Sequence, residues 1–378
     1  MSLINYVTKI QFGYDSLDTL ASEAERAGIR RPLIVTDTGV RRAGIVDKVV
    51  AALGGVQPAI FDATPPNPNE SAVRAAVDLY RSAECDGIIA VGGGSSIDLA
   101  KGTAVCATHE GPLHSFAVIE GGLERITAAT APLIAIPTTA GTGSEVGRGA
   151  ILILDDGRKV GVISPHVIPR VAICDPELTL GLPSMLTAAT GMDAIAHCIE
   201  TFMAPAFNPA ADGIALDGLW RAWQHIERAT AEPGNREARL NMMSASMQGA
   251  LAFQKGLGCV HSLSHALGGI NPKLHHGTLN AIFLPAVVQF NADAPSVRDE
   301  RKLERLRQAM GLESDADIGA AIEAMTRRLG LPTRLSEIGV DESLFAGIVE
   351  GALHDHSHKT NPREASAADY RSMLAQSL

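Results

Sequence analysis

The first half of the chain alternates short apolar runs with longer amphipathic segments. The runs at 31–37, 87–91 and 132–138 are rich in Ile, Leu and Val and stop at Thr, Gly or Pro, which predicts buried strands. The segments at 16–28 and 70–84 carry apolar residues at helical spacing. This order predicts a parallel sheet covered by helices.

Two later parts of the chain depart from that alternation. Residues 151–164 form two apolar runs around an Asp-Gly turn, which predicts a β-hairpin. From Ser184 onward the pattern consists of long helical segments rich in Ala, Leu, Met and Glu, with almost no strand signal. We therefore predict an α/β domain at 1–183 and an all-helical domain at 184–378, with the boundary near Pro183.

Composition and charge narrow the class of protein. The chain has 378 residues, 46% of them hydrophobic, which is enough for extensive cores. A formal net charge of -10 without clusters of Lys and Arg argues against nucleic acid or an anionic membrane as a partner. Five scattered cysteines without CxxC spacing, no secretory pattern and no membrane-length apolar run favour the cytoplasm. Small molecules are the expected partners.

Histidines concentrate in the segment 256–277, which is otherwise small and apolar. His261 and His265 are four residues apart, so a helix places both imidazoles on one face. Asp193 and His197 have the same spacing. A carboxylate and several imidazoles from different helices are what a divalent metal site requires. For each histidine alone, the alternative is a hydrogen-bonded core residue.

Two loops are candidates for binding a nucleotide. In VGGGSSIDLAKG at 91–102, three glycines (the glycine loop, 92–94) lie between an apolar run and a helix start. Backbone amides there can approach a pyrophosphate, and the helix N-terminus adds positive potential. The motif is not GxGxxG, because Ile97 replaces the third glycine. The threonine loop, PTTAGTGSE at 137–145, offers hydroxyls. The alternatives are a tight turn and a polar capping loop.

Asp37 ends the apolar run at 31–37. A carboxylate there can accept hydrogen bonds from the adenosine ribose of NAD and repel the 2′-phosphate of NADP. Asp37 precedes the glycine loop, whereas the acid of the usual motif follows by about 20 residues. The alternative is a turn-forming aspartate. If the loops bind a dinucleotide, this residue favours NAD over NADP.

Four motifs together resemble the iron-dependent alcohol dehydrogenase family. They are GTGSE at 141–145, TAATGMDAIAHCIE at 187–200, VHSLSHALGG at 260–269 and HHGTLNAIFLP at 275–285. The likeness extends from about Phe12 to NPRE at 361–364, nearly the whole chain. It implies a parallel-sheet NAD-binding domain, a helical metal-binding domain and hydride transfer between a primary alcohol and NAD. It also implies a homodimer or a higher homo-oligomer.

The resemblance implies a metal held by one aspartate and three histidines. The matching positions are Asp193, His197, His261 and His276. The match at His276 rests on the His-Gly pair, so the adjacent His275 is the alternative. Fe2+ is the implied ion, with Zn2+ or another divalent ion as the alternative, because mixed nitrogen and oxygen sites accept several first-row metals. His265 matches a non-ligand histidine beside the substrate, and we hypothesise that it carries the proton.

The motifs and the resemblance together nominate the residues that contact NAD. The predicted set is Asp37, Asn67, Gly93, Gly94, Ser95, Asp98, Thr138, Thr139, Thr142, Ser144 and Lys159. Asn67 and Lys159 rest on the resemblance alone and have ordinary loop and surface roles as alternatives.

The histidine loop, HDHSHK at 354–359, lies just before NPRE. Its composition is typical of a metal-binding tract, but the resemblance implies that it folds over the active site. His356, His358 and Lys359, with Arg148 after GTGSE, are candidate partners for an acid group on the substrate, as in 4-hydroxybutyrate. The alternative is that these side chains face solvent.

Other functions share parts of this pattern. A maleylacetate reductase-like enzyme and a glycerol-type polyol dehydrogenase are close alternatives, and His197 as a fourth ligand argues for the iron branch over the zinc-dependent polyol enzymes. A dehydroquinate synthase-like lyase shares the two-domain layout. The GTGSE loop and the carboxylate-plus-three-histidine pattern argue against the lyase.

Overall fold

A computed structural model describes Ile4, Tyr6 and residues 8–378. The described chain forms two compact units. One, the α/β unit, comprises Tyr6–Thr139 and Gly143–Gly181; the other, the helical unit, comprises Leu182–Leu378 together with Ala140–Thr142.

The α/β unit contains eight strands among the described residues. Their bounds are β1 Lys9–Phe12, β2 Pro32–Val35, β3 Ala59–Phe61, β4 Gly87–Gly92, β5 Leu133–Pro137, β6 Gly149–Ile153, β7 Lys159–Ile163 and β8 Val171–Cys174. Six of them form a parallel sheet in the order β1-β8-β5-β4-β2-β3, and β6 and β7 form a separate antiparallel hairpin. The predicted parallel sheet and the predicted hairpin are therefore confirmed.

The central strands are buried along their whole length, as expected where helices cover both faces of a sheet. In the register of β4 with β5, Gly92 is paired with Pro137. The glycine loop and the threonine loop consequently leave the sheet side by side. β1 and β3 did not stand out in the sequence, because they are four and three residues long and only partly buried.

Helices make up most of the rest of the chain. In the α/β unit they are α1 Leu20–Arg26, α2 Thr38–Arg42, α3 Ile45–Ala52, α4 Glu70–Ser82 and α5 Gly94–Cys106. In the helical unit they are α6 Ser184–Met203, α7 Pro209–Ala231, α8 Arg236–Leu251, α9 Cys259–Ile270, α10 His276–Asn291, α11 Pro295–Asp299, α12 Lys302–Met310, α13 Ile318–Arg328, α14 Phe345–His354 and α15 Ala367–Gln376. In the part of the chain that the structure describes, no helix is both long and apolar enough to cross a membrane.

Helix α6 is the buried centre of the helical unit. Nearly every residue from Thr187 to Met203 is buried, so its few polar side chains face other helices and not solvent. The start of α10 crosses α6 at backbone contact, since a Cβ atom added to Gly277 would lie 2.1 Å from the carbonyl oxygen of Ala189. Only glycine allows this approach, and it brings His276 against α6.

Candidate active site

Four polar side chains converge in the core of the helical unit. From Oδ1 of Asp193, the Nε2 atoms of His197, His261 and His276 lie at 3.5, 3.8 and 3.7 Å. α6 supplies the first two residues, α9 the third and α10 the fourth. Ligand atoms bound tetrahedrally at about 2.1 Å are separated by about 3.4 Å. The separations and the donor chemistry both fit a first-row divalent ion.

Burial and mutual charge set the protonation of these groups. Burial lowers the pKa of His197 to about 4, so this imidazole is neutral, as a ligand must be. Burial alone would raise the pKa of Asp193, but the surrounding imidazoles outweigh it and hold the pKa well below its usual range. Burial also opposes the charge on His261, yet Glu200 and Asp193 prevail and raise its pKa to about 9.

Two of the imidazoles are oriented through their second ring nitrogen. Nδ1 of His197 donates to the carbonyl oxygen of Gly141 at 3.2 Å. Nδ1 of His261 donates to the carboxylate of Glu200, which also accepts from the amide of Val260 at 2.8 Å. Such partners fix each ring so that Nε2 faces Asp193, the geometry expected of a metal ligand. Glu200 was not predicted, although it follows His197 by three residues and shares its helix face.

Asn280 is a second residue that the sequence analysis missed. Its Nδ2 lies 2.7 Å from Oδ1 of Asp193 and 3.2 Å from Nε2 of both His261 and His276. Its Oδ1 is buried and has no hydrogen-bond partner among the described residues. Asn280 follows His276 by four residues on α10, so helical spacing was the available signal. An amide nitrogen close to three of the ligand atoms indicates that they face a common point.

As the candidate fourth ligand, His276 is better placed than its neighbour His275. His276 is the first residue of α10, with its side chain 28% exposed and its ring facing Asp193. His275 precedes the helix as its N-cap residue and is exposed.

His265 lies next to this cluster and connects it to the histidine loop. Its ring stacks on that of His276 at 5.3 Å between centroids and on that of His356 at 5.6 Å. Its Nδ1 donates to Oδ2 of Asp355 at 3.0 Å, and Nδ1 of His356 lies 3.6 Å from the same oxygen. Asp355 was not predicted, since nothing in its local pattern links it to residue 265.

The two residues that follow the histidine loop are hydrogen-bonded to the start of α9 and the residues just before it. Oδ1 of Asn361 accepts from the amide of Cys259 at 3.2 Å, and the Thr360 hydroxyl donates to the carbonyl oxygen of Leu257 at 2.7 Å. These bonds hold the segment that follows the loop against the start of the helix that carries His261 and His265.

The other residues predicted for the substrate are dispersed. Nδ1 of His358 forms a 2.9 Å hydrogen bond with the hydroxyl of Tyr370, and Lys359 is exposed. Arg148 is exposed in the α/β unit. Of the four, only His356 stacks on His265.

In the α/β unit, the glycine loop joins β4 to α5 by a close turn. Gly92 has φ of +151°, and a Cβ atom on it would lie 2.5 Å from Oγ of Ser96. Gly93 is the N-cap of α5 and provides no side-chain cap, so the first amides of the helix, from Gly94 and Ser95, are available to an anion. This geometry is suitable for a pyrophosphate.

Three further predicted residues lie beside that turn. Asp37 caps α2 by accepting from the amides of Gly39 and Val40 at 2.8 and 3.0 Å, and its Oδ2 lies 3.3 Å from Oγ of Ser96. The amide of Thr138 donates to the carbonyl oxygen of Gly92 at 3.0 Å. Thr139 is close enough that a Cβ atom on Gly93 would lie 3.3 Å from its side chain. The turn-forming role of Asp37 is thus present, and its contact with NAD stays a prediction.

The remaining predicted cofactor residues divide into two groups. Nζ of Lys159 donates to Oδ1 of Asn67 at 3.1 Å, so these two lie together. Asp98 and Ser144 are buried and bond to each other at 2.6 Å, which commits both side chains to the interior. Thr142 belongs to the helical unit. Direct contacts of these residues with NAD stay predictions.

Family comparisons agree with both units. Residues 7–176 match the model of the iron-containing alcohol dehydrogenases, and residues 187–378 match the C-terminal domain of the same family. The chain belongs to the iron-containing alcohol dehydrogenase family. It is therefore a metal-dependent, NAD-linked alcohol dehydrogenase.

Individual relatives cover nearly the whole chain. It is similar to a 4-hydroxybutyrate dehydrogenase of Cupriavidus necator, with 64% identity over 100% of both chains. It is also similar to a 1,3-propanediol dehydrogenase of Klebsiella pneumoniae, with 35% identity over 97% of this chain and 96% of that protein.

Solved structures give the same fold. A 1,3-propanediol oxidoreductase superposes with a TM-score of 0.93 at 35% identity over 100% of both chains. A sulfoacetaldehyde reductase from Bifidobacterium kashiwanohense in complex with NAD+ superposes with a TM-score of 0.90 at 28% identity, over 100% of this chain and 98% of that one.

Proposed function

We propose that this enzyme interconverts 4-hydroxybutyrate, or a closely related ω-hydroxy acid, and its aldehyde with NAD. The observation that carries the proposal is the ring stack of His276, His265 and His356, which joins a candidate metal ligand to a loop rich in hydrogen-bond donors. The 64% identity with a 4-hydroxybutyrate dehydrogenase supports the same substrate class.

The metal is assigned to Asp193, His197, His261 and His276. One carboxylate and three imidazoles leave a divalent ion with net positive charge, and Fe2+ is our first candidate, with Zn2+ as the alternative. When bound, the ion would supply a Lewis acid for the alcohol oxygen, and NAD would supply the acceptor for the hydride from the carbinol carbon. We assign NAD to the domain at 1–183 and the metal to the domain at 184–378.

In this mechanism His265 accepts the proton that the alcohol releases. Because its Nδ1 donates to Asp355, its Nε2 is the ring nitrogen that can accept a proton. Burial alone would raise the pKa of Asp355, but His265 and His356 outweigh burial and hold that pKa well below its usual range. Asp355 therefore stays ionised, orients the His265 ring and stabilises its protonated form.

The substrate carboxylate is assigned first to His356. A buried carboxylate needs charge-assisted hydrogen bonds, each worth about 1.5 to 3 kcal/mol, and a neutral alkyl alcohol would leave the same donors unpaired. His358 and Lys359 are weaker candidates, because one is bonded to Tyr370 and the other is exposed.

The test compares kcat/KM for 4-hydroxybutyrate and 1-butanol in the wild type and in loop variants. We expect a strong preference for the hydroxy acid, reduced about tenfold or more in His356→Ala. His354→Ala is the matched control, since this histidine of the same loop is exposed and bonds to the carbonyl oxygen of Glu350 on its own helix. A wild-type ratio near one, or equal ratios in all three proteins, would refute the assignment.

The same assay separates the alternatives. A lyase would not form NADH steadily from either 4-hydroxybutyrate or 1-butanol. The similarity to 1,3-propanediol dehydrogenases makes 1,3-propanediol the second candidate substrate. Metal analysis of the same sample would identify the ion, and size-exclusion chromatography would test the homodimer or higher homo-oligomer that we propose. A cytoplasmic location remains part of the proposal and requires imaging or fractionation.

A further inference from the structure

Lys101, on α5, is a fully buried lysine whose ammonium group is surrounded by oxygen atoms. Its Nζ lies 2.7 Å from the carbonyl oxygen of Ser144, 2.8 Å from those of Gly147 and Gly149, and 3.0 Å from Oγ of Ser144. We call this group of four oxygens the Lys101 cage. Lys101 itself is 0% exposed.

Nearby carboxyl groups offset part of the cost of this burial, although burial still lowers the pKa of Lys101 to about 8. Asp98, one turn earlier on α5, accepts from the Ser144 hydroxyl at 2.6 Å and from the amide of Ile151 at 3.0 Å. Glu145 is also buried, with 2% exposure, and interacts with the Lys101 charge. A buried charge is tolerated only when it is paired and hydrogen-bonded in this way.

The cage connects two pieces of chain that matter for the cofactor. Lys101 lies seven residues after Gly94, two turns along the helix whose N-terminus follows the glycine loop. The oxygens of the cage belong to 144–149, which runs from the end of the threonine loop to the start of β6. One ammonium group thereby fixes the main-chain path of 144–149 relative to the helix that begins at the glycine loop.

We propose that Lys101 is a positioning residue for NAD. Its ammonium group takes the place that a bound monovalent cation would have among these oxygens. The inference rests on the proposed binding of NAD by the α/β unit. Carbonyl oxygens arranged around a single monovalent charge are also how proteins hold potassium, with the oxygens replacing the hydration shell of the ion. Removing the Lys101 ammonium should therefore leave a space that a free ammonium or potassium ion can fill.

The first experiment measures the dissociation constant of NADH by fluorescence titration. Lys101→Met keeps the unbranched side chain, one atom shorter, but removes the charge and its three donors, and we expect NADH to bind at least tenfold more weakly. Metal content should remain at the wild-type level. Lys302→Met is the matched control, because Lys302 is 1% exposed and donates to the carbonyl oxygens of Met203 and Ala204 in the helical unit. Its NADH affinity should stay within twofold of the wild type.

The second experiment tests for rescue. In Lys101→Ala, ammonium or potassium chloride should restore most of the NADH affinity, whereas tetramethylammonium chloride at the same concentration should not. If Lys101→Met does not fold, Lys101→Arg replaces it. Arginine keeps the charge but spreads its donors over a planar fork, so it cannot present one nitrogen to three carbonyl oxygens. We expect NADH to bind this variant several-fold more weakly than the wild type.

The outcomes separate the two proposals. A wild-type enzyme that does not bind NADH would refute the proposed function. A wild-type enzyme that binds it, together with unchanged affinity in Lys101→Met or Lys101→Arg, would overturn the role of Lys101 alone. Equal losses in Lys101→Met and Lys302→Met, or no difference between ammonium and tetramethylammonium in Lys101→Ala, would also overturn it.

Discussion

The candidate cofactor loops and the candidate metal centre use different chemical groups. The loops offer main-chain amides, and the centre consists of buried carboxylate and imidazole side chains. In the α/β unit, backbone amides at the start of α5 have no side-chain cap and are available to an anion, and the buried ammonium of Lys101 is itself part of the chain. In the helical unit, Asp193 and Glu200 are buried among three imidazoles that orient toward one point. We propose that a divalent cation from solution completes that set.

The difference predicts how each region tolerates substitution. A site made of main-chain groups depends on the shape of the loop. Loss of one side chain there should weaken binding only partly. A site made of four converging side chains depends on each of them, because removing one leaves buried charge uncompensated.

The largest expected effect is in the metal centre. Asp193→Ala removes the oxygen around which three imidazoles gather, and we expect loss of bound metal and at least a thousandfold loss of kcat/KM. NADH should still bind, because the α/β unit is intact. Metal per chain, measured by mass spectrometry, and NADH titration check both statements. His275→Ala is the control and should keep its metal; if it loses metal while His276→Ala does not, the ligand assignment is shifted by one residue.

The next largest effect is expected for residues that form hydrogen bonds to the candidate ligands. Glu200→Gln and Asn280→Ala should each weaken metal binding by about 10- to 100-fold, as outer partners of metal ligands typically do. The physical cause is loss of the bond that orients His261 in the first variant, and of the amide facing three ligand atoms in the second. Competition with a chelator measures the affinity. Unchanged affinity in both variants would mean that the ligands are held by packing alone.

A smaller effect is expected at the cofactor loops. Asp37→Gly should narrow the ratio of kcat/KM for NAD over NADP by about tenfold, since the repulsion toward a 2′-phosphate is removed. Asp62→Gly, which removes another acid of the same unit, is the control. A wild-type enzyme that already used NADP as well as NAD would contradict the role of Asp37.

The smallest effect concerns stability in the α/β unit. Burial raises the pKa of Glu145 from 4.5 to about 7. Because the folded value lies above the unfolded one, protonated Glu145 stabilises the fold fully below pH 4.5, and this contribution is lost as pH rises through about 7. A shift of this size corresponds to about 3 kcal/mol. The pKa of Lys101, lowered by burial to about 8, acts with opposite sign only above that pH.

Glu145→Gln should therefore flatten the dependence of Tm on pH between 5 and 7 and raise Tm at pH 7.5 by several degrees. Glu110→Gln, at an exposed position of the same unit, should leave the profile unchanged. Parallel Tm profiles for wild type and Glu145→Gln would show that the carboxyl group titrates normally.

The sequence alone determined the features that depend on near neighbours. Apolar runs that stop at Thr, Gly or Pro predicted β2, β4 and β5, because a strand buried on both faces needs continuous apolar residues. The spacing of four residues put Asp193 and His197 on one face of α6, since the geometry of the helix leaves no other arrangement.

Only the tertiary structure decided which distant groups meet. Asp355 joins His265 across 90 residues, and the sequence contains no local trace of that pairing. Asp98 and Ser144, predicted to contact the cofactor, bond to each other in the interior, and the Ser144 hydroxyl is one of the four oxygens of the Lys101 cage. Their contact with NAD stays a prediction. Polar side chains in a motif can face a ligand or the interior, and burial, which is a property of the folded chain, decides between them.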